Sequence, residues 1–386
     1  MNSSHEIKSY LKKRAISGPW KLSKSPKNKF KYSIVIPAYN EFESIFKALV
    51  SINKNESLLL KDTIVVVVVN NPEVSKSKLK NNNKSTIHEL SKQQYKFNLV
   101  TIDASSKGLE LPKKYAGVGL ARRIGIDLCL PYMRSNNSLI FCTDADVEVS
   151  PKYLSTVINY FINNTLSAAV VGFKHKKFNI KIVDQGIKDY EHFLKSTAHK
   201  LKKCGSPYGY VAMGSTMVCT TKAYCAIGGM PKKKATEDFY FLQELAKYCN
   251  IVTIKQELVF PSSRPISRVY LGTGYRMEQI INGFKISNLY FSNISFVYLS
   301  QWIKIAEKSW KLNIDDLLSK TYKIHPDLNS FILNQGIKDT WIKIQANSKI
   351  NSQFIRQFHK WFDGLKTIQF LKYFSTEDNN FQSLQK

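Results

Sequence analysis

The chain has 386 residues and 43% hydrophobic content, enough for one large or two ordinary domains with real cores, which excludes a disordered protein. Its 57 Lys and Arg against 29 Asp and Glu leave a formal net charge of +28, so nucleic acid, an acidic membrane surface and phosphorylated substrates are all candidate partners. Much of that surplus is Lys interleaved with Asn and Ser, as in Lys76 to Lys84, a pattern of solvated faces rather than of base readers.

Residues 1–30 carry eight Lys/Arg and one Glu, with no apolar run of secretory-signal length, and read as a basic lead-in with a short helix and a Pro/Gly/Lys linker. Tyr32 to Pro37 is a first buried strand, and Asn40 is the expected cap of a helix from Glu41 to about Asn53. Thr63 to Val69 is an unbroken, largely β-branched run, the signature of a central parallel strand, closed by Asn70-Asn71-Pro72. Lys76 to Lys84 is expected as a mobile polar loop, and Phe97 to Ile102 as a third strand ending at Asp103. Gly117-Val-Gly-Leu-Ala-Arg-Arg-Ile-Gly125 follows a loop rather than a first strand, so it fails the dinucleotide fingerprint. Two readings remain for it: a substrate loop with Arg122 or Arg123 near a phosphate, and a plain helix start.

The chain is organised around Ser138 to Ser150. A short apolar strand there ends in Asp144-Ala-Asp146, and Pro151 is expected to open a helix capped by Ser150. Carboxylates at i and i+2 off a strand end make a hard-oxygen site of the kind that suits Mn²⁺ or Mg²⁺. Strands alternating with helices through residue 173 give an α/β parallel sheet, whose ligands bind at the strand ends. Beyond a helix from Val183 to Lys202 lies a Lys cluster, Lys232 to Lys234, and then a helix whose first turn holds Glu237 and Asp238. An acidic first turn is also ordinary dipole capping. Phe260 to Arg276 holds Arg264, Arg268 and Arg276 with Gly272 and Gly274, a loop composition suited to wrapping an anion.

After residue 277 the pattern is helical, with Trp302, Trp310, Trp341 and Trp361 read as core. Ile280 to Ile305 is interrupted by Lys285, Asn288, Asn293, Gln301 and Lys304 and is too polar to span a membrane. The six cysteines form no Cys-x-x-Cys pair and read as small buried hydrophobes of a reducing compartment. The expected location is cytoplasmic, with peripheral contact with the inner face of an anionic membrane.

Taken together, Ser33-Ile-Val-Ile-Pro-Ala-Tyr-Asn-Glu41, Asp144-Ala-Asp146 and Thr236-Glu-Asp238 resemble, in order and spacing, the family 2 glycosyltransferases of GT-A fold. The resemblance covers about residues 30–275. Gly228-Gly-Met230 to Phe239-Tyr-Phe241 and Ser263-Arg264 to Gly272-Thr-Gly274 are similar to a bacterial branch of that family. It implies a Rossmann-like, mostly parallel central sheet with helices on both faces over 31–275, a basic lead-in over 1–30 and a helical extension over 276–386. Pro37, Tyr39 and Glu41 fall on the nucleotide side, Asp144 and Asp146 on the metal, and Glu237 and Asp238 on the acceptor. Many members end the second strand in two aspartates. This chain has Asn70-Asn71 there, with Asp103 as a substitute. The Gln-x-x-Arg-Trp motif of processive members is absent and the Arg264/Arg268 loop stands in its place, which favours transfer of one sugar.

The implied reaction takes a nucleotide diphosphate sugar with Mn²⁺ or Mg²⁺ bridging Asp146 and the diphosphate, Asp144 on sugar or ribose hydroxyls, and a glycan or lipid-linked acceptor deprotonated by Asp238. Glu237 orients the acceptor or exchanges roles with Asp238, the anomeric centre inverts, and Arg264 and Arg268, with help from Lys232 to Lys234, clamp the diphosphate. Two rivals are weighed. A sugar nucleotidyltransferase needs a Gly-rich, Arg/Lys-bearing loop after the first strand, where Pro37-Ala-Tyr-Asn-Glu41 has none. A non-enzymatic basic protein binding nucleic acid or another anion would have to tolerate acidic clusters at the strand ends, and no specific nucleic-acid motif is present.

Overall fold

The computed structural model describes residues 5–266 and 271–384. The chain divides into two compact units: unit 1 runs to Lys188 and resumes over Ala212–Phe284, and unit 2 joins Asp189–Val211 to the chain from Lys285 onward.

Unit 1 is built on one sheet of β1 (Tyr32–Ala38), β2 (Thr63–Asn70), β3 (Asn98–Ala104), β4 (Leu139–Cys142), β5 (Glu148–Val149), β6 (Ala168–Phe173), β7 (Met217–Thr220) and β8 (Ile251–Phe260). Their order across the sheet is β3-β2-β1-β4-β7-β6-β8-β5. The half β3-β2-β1-β4 is parallel. In the other half β7 runs antiparallel to β4 and β6, while β6 pairs parallel with β8. Ile64 to Val69 of β2 are all 0% exposed, so both faces of this strand are covered, as an unbroken branched run requires. Pro37 has no N–H for a ladder and lies beyond Val35↔Cys142, the last β1–β4 pair in register.

The helices of unit 1 are α1 (His5–Lys13), α2 (Phe42–Asn53), α3 (Ser57–Lys61), α4 (Ser77–Leu90), α5 (Val118–Cys129), α6 (Tyr153–Asn163), α7 (Lys181–Lys203, which ends in unit 2), α8 (Thr221–Ala226), α9 (Glu237–Tyr248) and α10 (Thr273–Ile281). Several positions differ from expectation. The stretch Lys76 to Lys84 is not a loop: it opens α4, which buries Asn83, Thr86 and Leu90 at helical spacing. Its periodicity is carried by polar side chains, which hydrophobic patterning does not register. Asn40 does not cap α2. Glu41 stands at the position before α2, with no side-chain capping bond, and Asn40 occupies the left-handed region at φ 56°. The strand of Asp144 and Asp146 does not turn directly into a helix. β5 intervenes, pairing with Phe260 and Val259 of β8, and α6 starts at Tyr153, two residues past Pro151. The short helix expected in the lead-in is α1, and it is packed down, with Ile7 at 0% and Tyr10 at 3% exposure.

At the end of β2, Asn83 Nδ2 donates to Asn70 O (3.0 Å) and Asn71 Oδ1 (2.9 Å), and its Oδ1 accepts from Asn40 N (3.0 Å). One buried amide therefore ties the loops after β1 and β2 to α4. Asn83→Ala strands these groups and is expected to lower unfolding stability by about 2–3 kcal/mol, read by urea denaturation; an unchanged midpoint would show that water replaces the amide.

Unit 2 is helical, formed by the end of α7 with α11 (Asn293–Lys308), α12 (Ile314–Tyr322), α13 (Pro326–Asn334), α14 (Ile337–Ala346), α15 (Asn351–Trp361) and α16 (Gly364–Leu384). Its core gathers Leu201, Leu299, Trp302, Ile332, Trp341, Phe354, Phe358, Phe362, Phe370 and Phe374, with Trp310 and Trp361 packed partly buried against it. The tryptophans are core, as their spacing implies. No described helix is long and apolar enough to cross a membrane.

Candidate active site

The parallel half of the sheet delivers its strand ends to one edge. Beyond β4, the chain alternates buried and part-exposed positions: Thr143, Ala145 and Val147 are buried and Asp144 and Asp146 part-exposed, and Asp144, Asp146 and Val147 line a cavity of about 270 Å³. Met213, Ser215, Ser262, Arg264, Leu271 and Tyr275 also line it.

Two guanidinium groups organise the acids. Arg122, 1% exposed, is hydrogen-bonded through Nη1 to Glu237 Oε1 and through Nη2 to Asp144 Oδ1. Arg264 donates from Nη2 to Asp146 Oδ2 at 2.9 Å and to Glu41 Oε1. Asp238, next to Glu237 in the first turn of α9, accepts from Phe239 N at 2.7 Å. Burial pushes the carboxyl groups of Asp144, Glu237 and Asp238 above the ordinary range, and Arg122 opposes it in each case. Burial disfavours the charge on Arg122 itself, but Asp144 and Glu237 outweigh it and hold the proton more tightly than usual.

Glu237 and Asp238 are placed by close packing. α5 starts beside the segment that precedes α9, and a Cβ on Gly119 would lie 2.6 Å from the carbonyl oxygens of Lys233 and Pro231 and 2.8 Å from Glu237 Cβ. Only a residue without Cβ lets the two backbones meet. The Gly-x-Gly thus serves a helix start and a chain crossing. Thr236, the residue before Glu237, sits at φ 64°, an uncommon region for a β-branched residue and a local strain held by its surroundings.

The remaining expected residues divide. Asp144, Asp146, Glu41, Glu237, Asp238, Arg122 and Arg264 meet at this edge. Arg122 is engaged by carboxylates rather than standing open to a phosphate. Tyr39 follows β1 directly. Asn70 Nδ2 donates to Ala38 O and Val68 O, and Asp103 Oδ1 accepts from Ser105 N, Ser105 Oγ and Ser106 N; the contacts of both close turns at strand ends. Lys232 to Lys234 are exposed. Arg268 lies outside the described residues. The role of Arg122 had a sequence signal that went unused: it is a charge on the same α5 stripe as Val118, Ile126 and Cys129, and a charge on an apolar stripe requires a buried partner.

Among the described residues no group of three or more His, Cys, Asp or Glu forms a cage for a metal ion. The donor set nevertheless fits a divalent ion held partly by substrate. Asp144 and Asp146 supply two hard oxygens, the usual protein share for Mg²⁺ on a diphosphate. Five carboxylates, Glu41, Asp144, Asp146, Glu237 and Asp238, converge on two guanidiniums, a negative excess that a divalent cation would relieve.

Residues 33–217 match the family model described as Glycosyl transferase family 2. Over that stretch the chain carries a glycosyl transferase family 2 domain. As a glycosyltransferase it is similar to solved structures at low identity. S. aureus TarS, residues 1–349, is 12% identical, with 86% of this chain and 91% of that chain covered at a TM-score of 0.42. The mannosyltransferase PcManGT from Pyrobaculum calidifontis, solved with GDP-Man and Mn²⁺, is 14% identical over 92% of each chain at 0.42. Glucosyl-3-phosphoglycerate synthase from Mycobacterium tuberculosis, solved with Mn²⁺, UDP and glucosyl-3-phosphoglycerate, is 11% identical over 71% of this chain and 80% of that one at 0.39. No curated protein matches the glycosyltransferase.

Breaking the buried Arg122 pairs leaves Glu237 without its counter-charge. Arg122→Met is expected to cost about 3–5 kcal/mol at neutral pH. Because the freed carboxyls titrate still higher, the folded variant binds protons more readily than the unfolded chain, and the deficit should shrink as pH falls toward 5. Urea unfolding at the two pH values checks this; a deficit independent of pH would assign the loss to packing.

Proposed function

We propose that this glycosyltransferase moves a single sugar from a nucleotide diphosphate sugar to a hydroxyl of a glycan or lipid-linked acceptor, with inversion and with Mn²⁺ or Mg²⁺ as cofactor. The observation that carries the reading is the Arg122 bridge, which holds Asp144 and Glu237 on one guanidinium and so sets the Asp-x-Asp strand end against the acidic first turn of α9. A donor-side acid pair and an acceptor-side acid pair at fixed separation are what a single in-line displacement requires.

Asp146 and Asp144 would hold the cation, which when bound would supply charge neutralisation for the leaving diphosphate. Arg264, already at the cavity, adds fixed positive charge on the same side. Asp238 is the general base. Glu237 is 5% exposed and committed to Arg122, whereas Asp238 is part-exposed, and its raised pKa makes it a stronger proton acceptor once ionised. Glu237 then orients the acceptor. A cytoplasmic site with peripheral contact with anionic lipid suits the basic surplus.

Asp238→Asn is expected to abolish transfer while leaving donor binding, and Asp146→Ala to abolish both. Titration calorimetry and a thermal-shift panel of UDP, GDP, CDP and dTDP sugars, with and without Mn²⁺, test this; loss of donor binding in Asp238→Asn would sink the division of roles. The pH profile of kcat/KM should fall on the acid side at a pH above the ordinary aspartate range, because a raised pKa must be exceeded before the base is free. Arg122 lowers the Asp238 pKa, so its removal in Arg122→Met should move that limb to higher pH.

A further inference from the structure

Arg122 has a sequence neighbour whose contacts lie elsewhere. Arg123 donates from Nη1 to Met230 O at 2.8 Å, and from Nη2 to Arg14 O at 2.6 Å and Tyr10 OH at 3.3 Å. Its Nε lies 3.4 Å from Asp127 Oδ2, one turn along α5. Asp127, 1% exposed, is a collecting point: Oδ1 accepts from Tyr10 OH (2.9 Å) and Tyr224 OH (2.7 Å), and Oδ2 accepts from Ile16 N (2.8 Å). Tyr10 and Tyr224 also meet edge to face, their centroids 5.6 Å apart.

This cluster is remote from the acids in chemistry but not in connectivity. Met230 opens the segment that ends at Glu237. Between them lie the exposed Lys232, Lys233 and Lys234 and the strained Thr236. Two consecutive arginines of α5 therefore grip the two ends of one exposed segment, Arg123 at Met230 and Arg122 at Glu237. The near end is further seated on Tyr10. Gly229, at φ 84°, would place a Cβ 2.1 Å from the Tyr10 hydroxyl, so that backbone lies directly on the N-terminal arm, residues 5–16. A buried carboxylate with three hydrogen-bond donors and an ion pair to Arg123 is a rigid anchor, and what it anchors here is the segment leading to Glu237 and Asp238.

We propose that Arg123 is a positioning residue for Glu237 and Asp238, locked in that role by Asp127 and by Tyr10 of the N-terminal arm. Arg122 fixes the segment at Glu237, and Arg123 adds a side-chain tie at Met230, an end that is itself buried. With both ends held on one helix, the carboxylate of Asp238 keeps a defined place relative to Asp144. The arm thereby acts on the reaction without touching substrate.

The segment carries its own reporter, since Lys232 to Lys234 are tryptic sites. The full-length chain, Arg123→Gln and Tyr10→Ala are compared by limited trypsin digestion with mass-spectrometric mapping, and by transfer kinetics and donor calorimetry. In both variants, cleavage within Lys232 to Lys234 should rise about tenfold relative to other sites, as expected for local opening. The kcat for transfer should fall with it, while donor affinity stays within about twofold. Arg123→Lys, which cannot span all four partners, should rescue only in part. Unchanged selectivity of cleavage in both variants, or cleavage rising together at all sites, would overturn the proposal by reducing the cluster to general stability. Should Arg123→Gln fail to fold, Tyr10→Ala, which changes no residue of α5, decides. The kinetic arm rests on Asp238 as base: if Asp238→Asn transfers sugar, that reading fails, and the cleavage arm still judges the anchor.

Discussion

The arrangement of unit 1 depends on a guanidinium buried where water cannot reach it. Arg122 is stable there because Asp144 and Glu237 face it, and the buried Glu237 in turn relies on Arg122 for its counter-charge. Mutual dependence of this kind fixes geometry more strictly than apolar contact does, since a displaced partner leaves an uncompensated charge. It also explains why three distant parts of the sequence, the start of α5, the end of β4 and the first turn of α9, share one place.

Charge compensation here is incomplete, and the remainder matters. Arg264 offsets Asp146 and Glu41 on the cavity side, yet Asp144, Glu237 and Asp238 all keep raised pKa values. Five carboxyl groups thus gather around two guanidiniums at the edge of the sheet in a chain with a basic surplus overall. For a bare polyanion such a cluster of carboxylates at the strand ends would be repulsive.

Much of this was legible in the sequence where apolar period and chain chemistry agree. The branched run of β2 and the short run of β4 required buried strands, and acids immediately after a strand marked the edge where ligands collect. The α4 helix was not legible, because its inward face is Asn83 and Thr86 and its stability comes from amide hydrogen bonds to Asn70 and Asn71 across the chain. β8 alternates too irregularly, with exposed Lys255, Gln256 and Glu257 at its centre beside a register shift. The Gly-x-Gly was visible, but its purpose was not. A close crossing with residues over a hundred positions away leaves no local signature, only a glycine.

The division of the chain into interleaved units bears on how it is made. Leu201 and Cys204 belong to the core of unit 2, whose other members begin at Phe296. During synthesis at about 5–20 residues per second these apolar groups emerge several seconds before the helices that will cover them. In that interval the chain supplies β7, α9 and β8, the last elements of the sheet and acids of unit 1, all of which precede residue 285. Assembly from the ribosome would thus leave the catalytic unit formed first and the helical unit last, with the end of α7 as the exposed surface that a chaperone would meet.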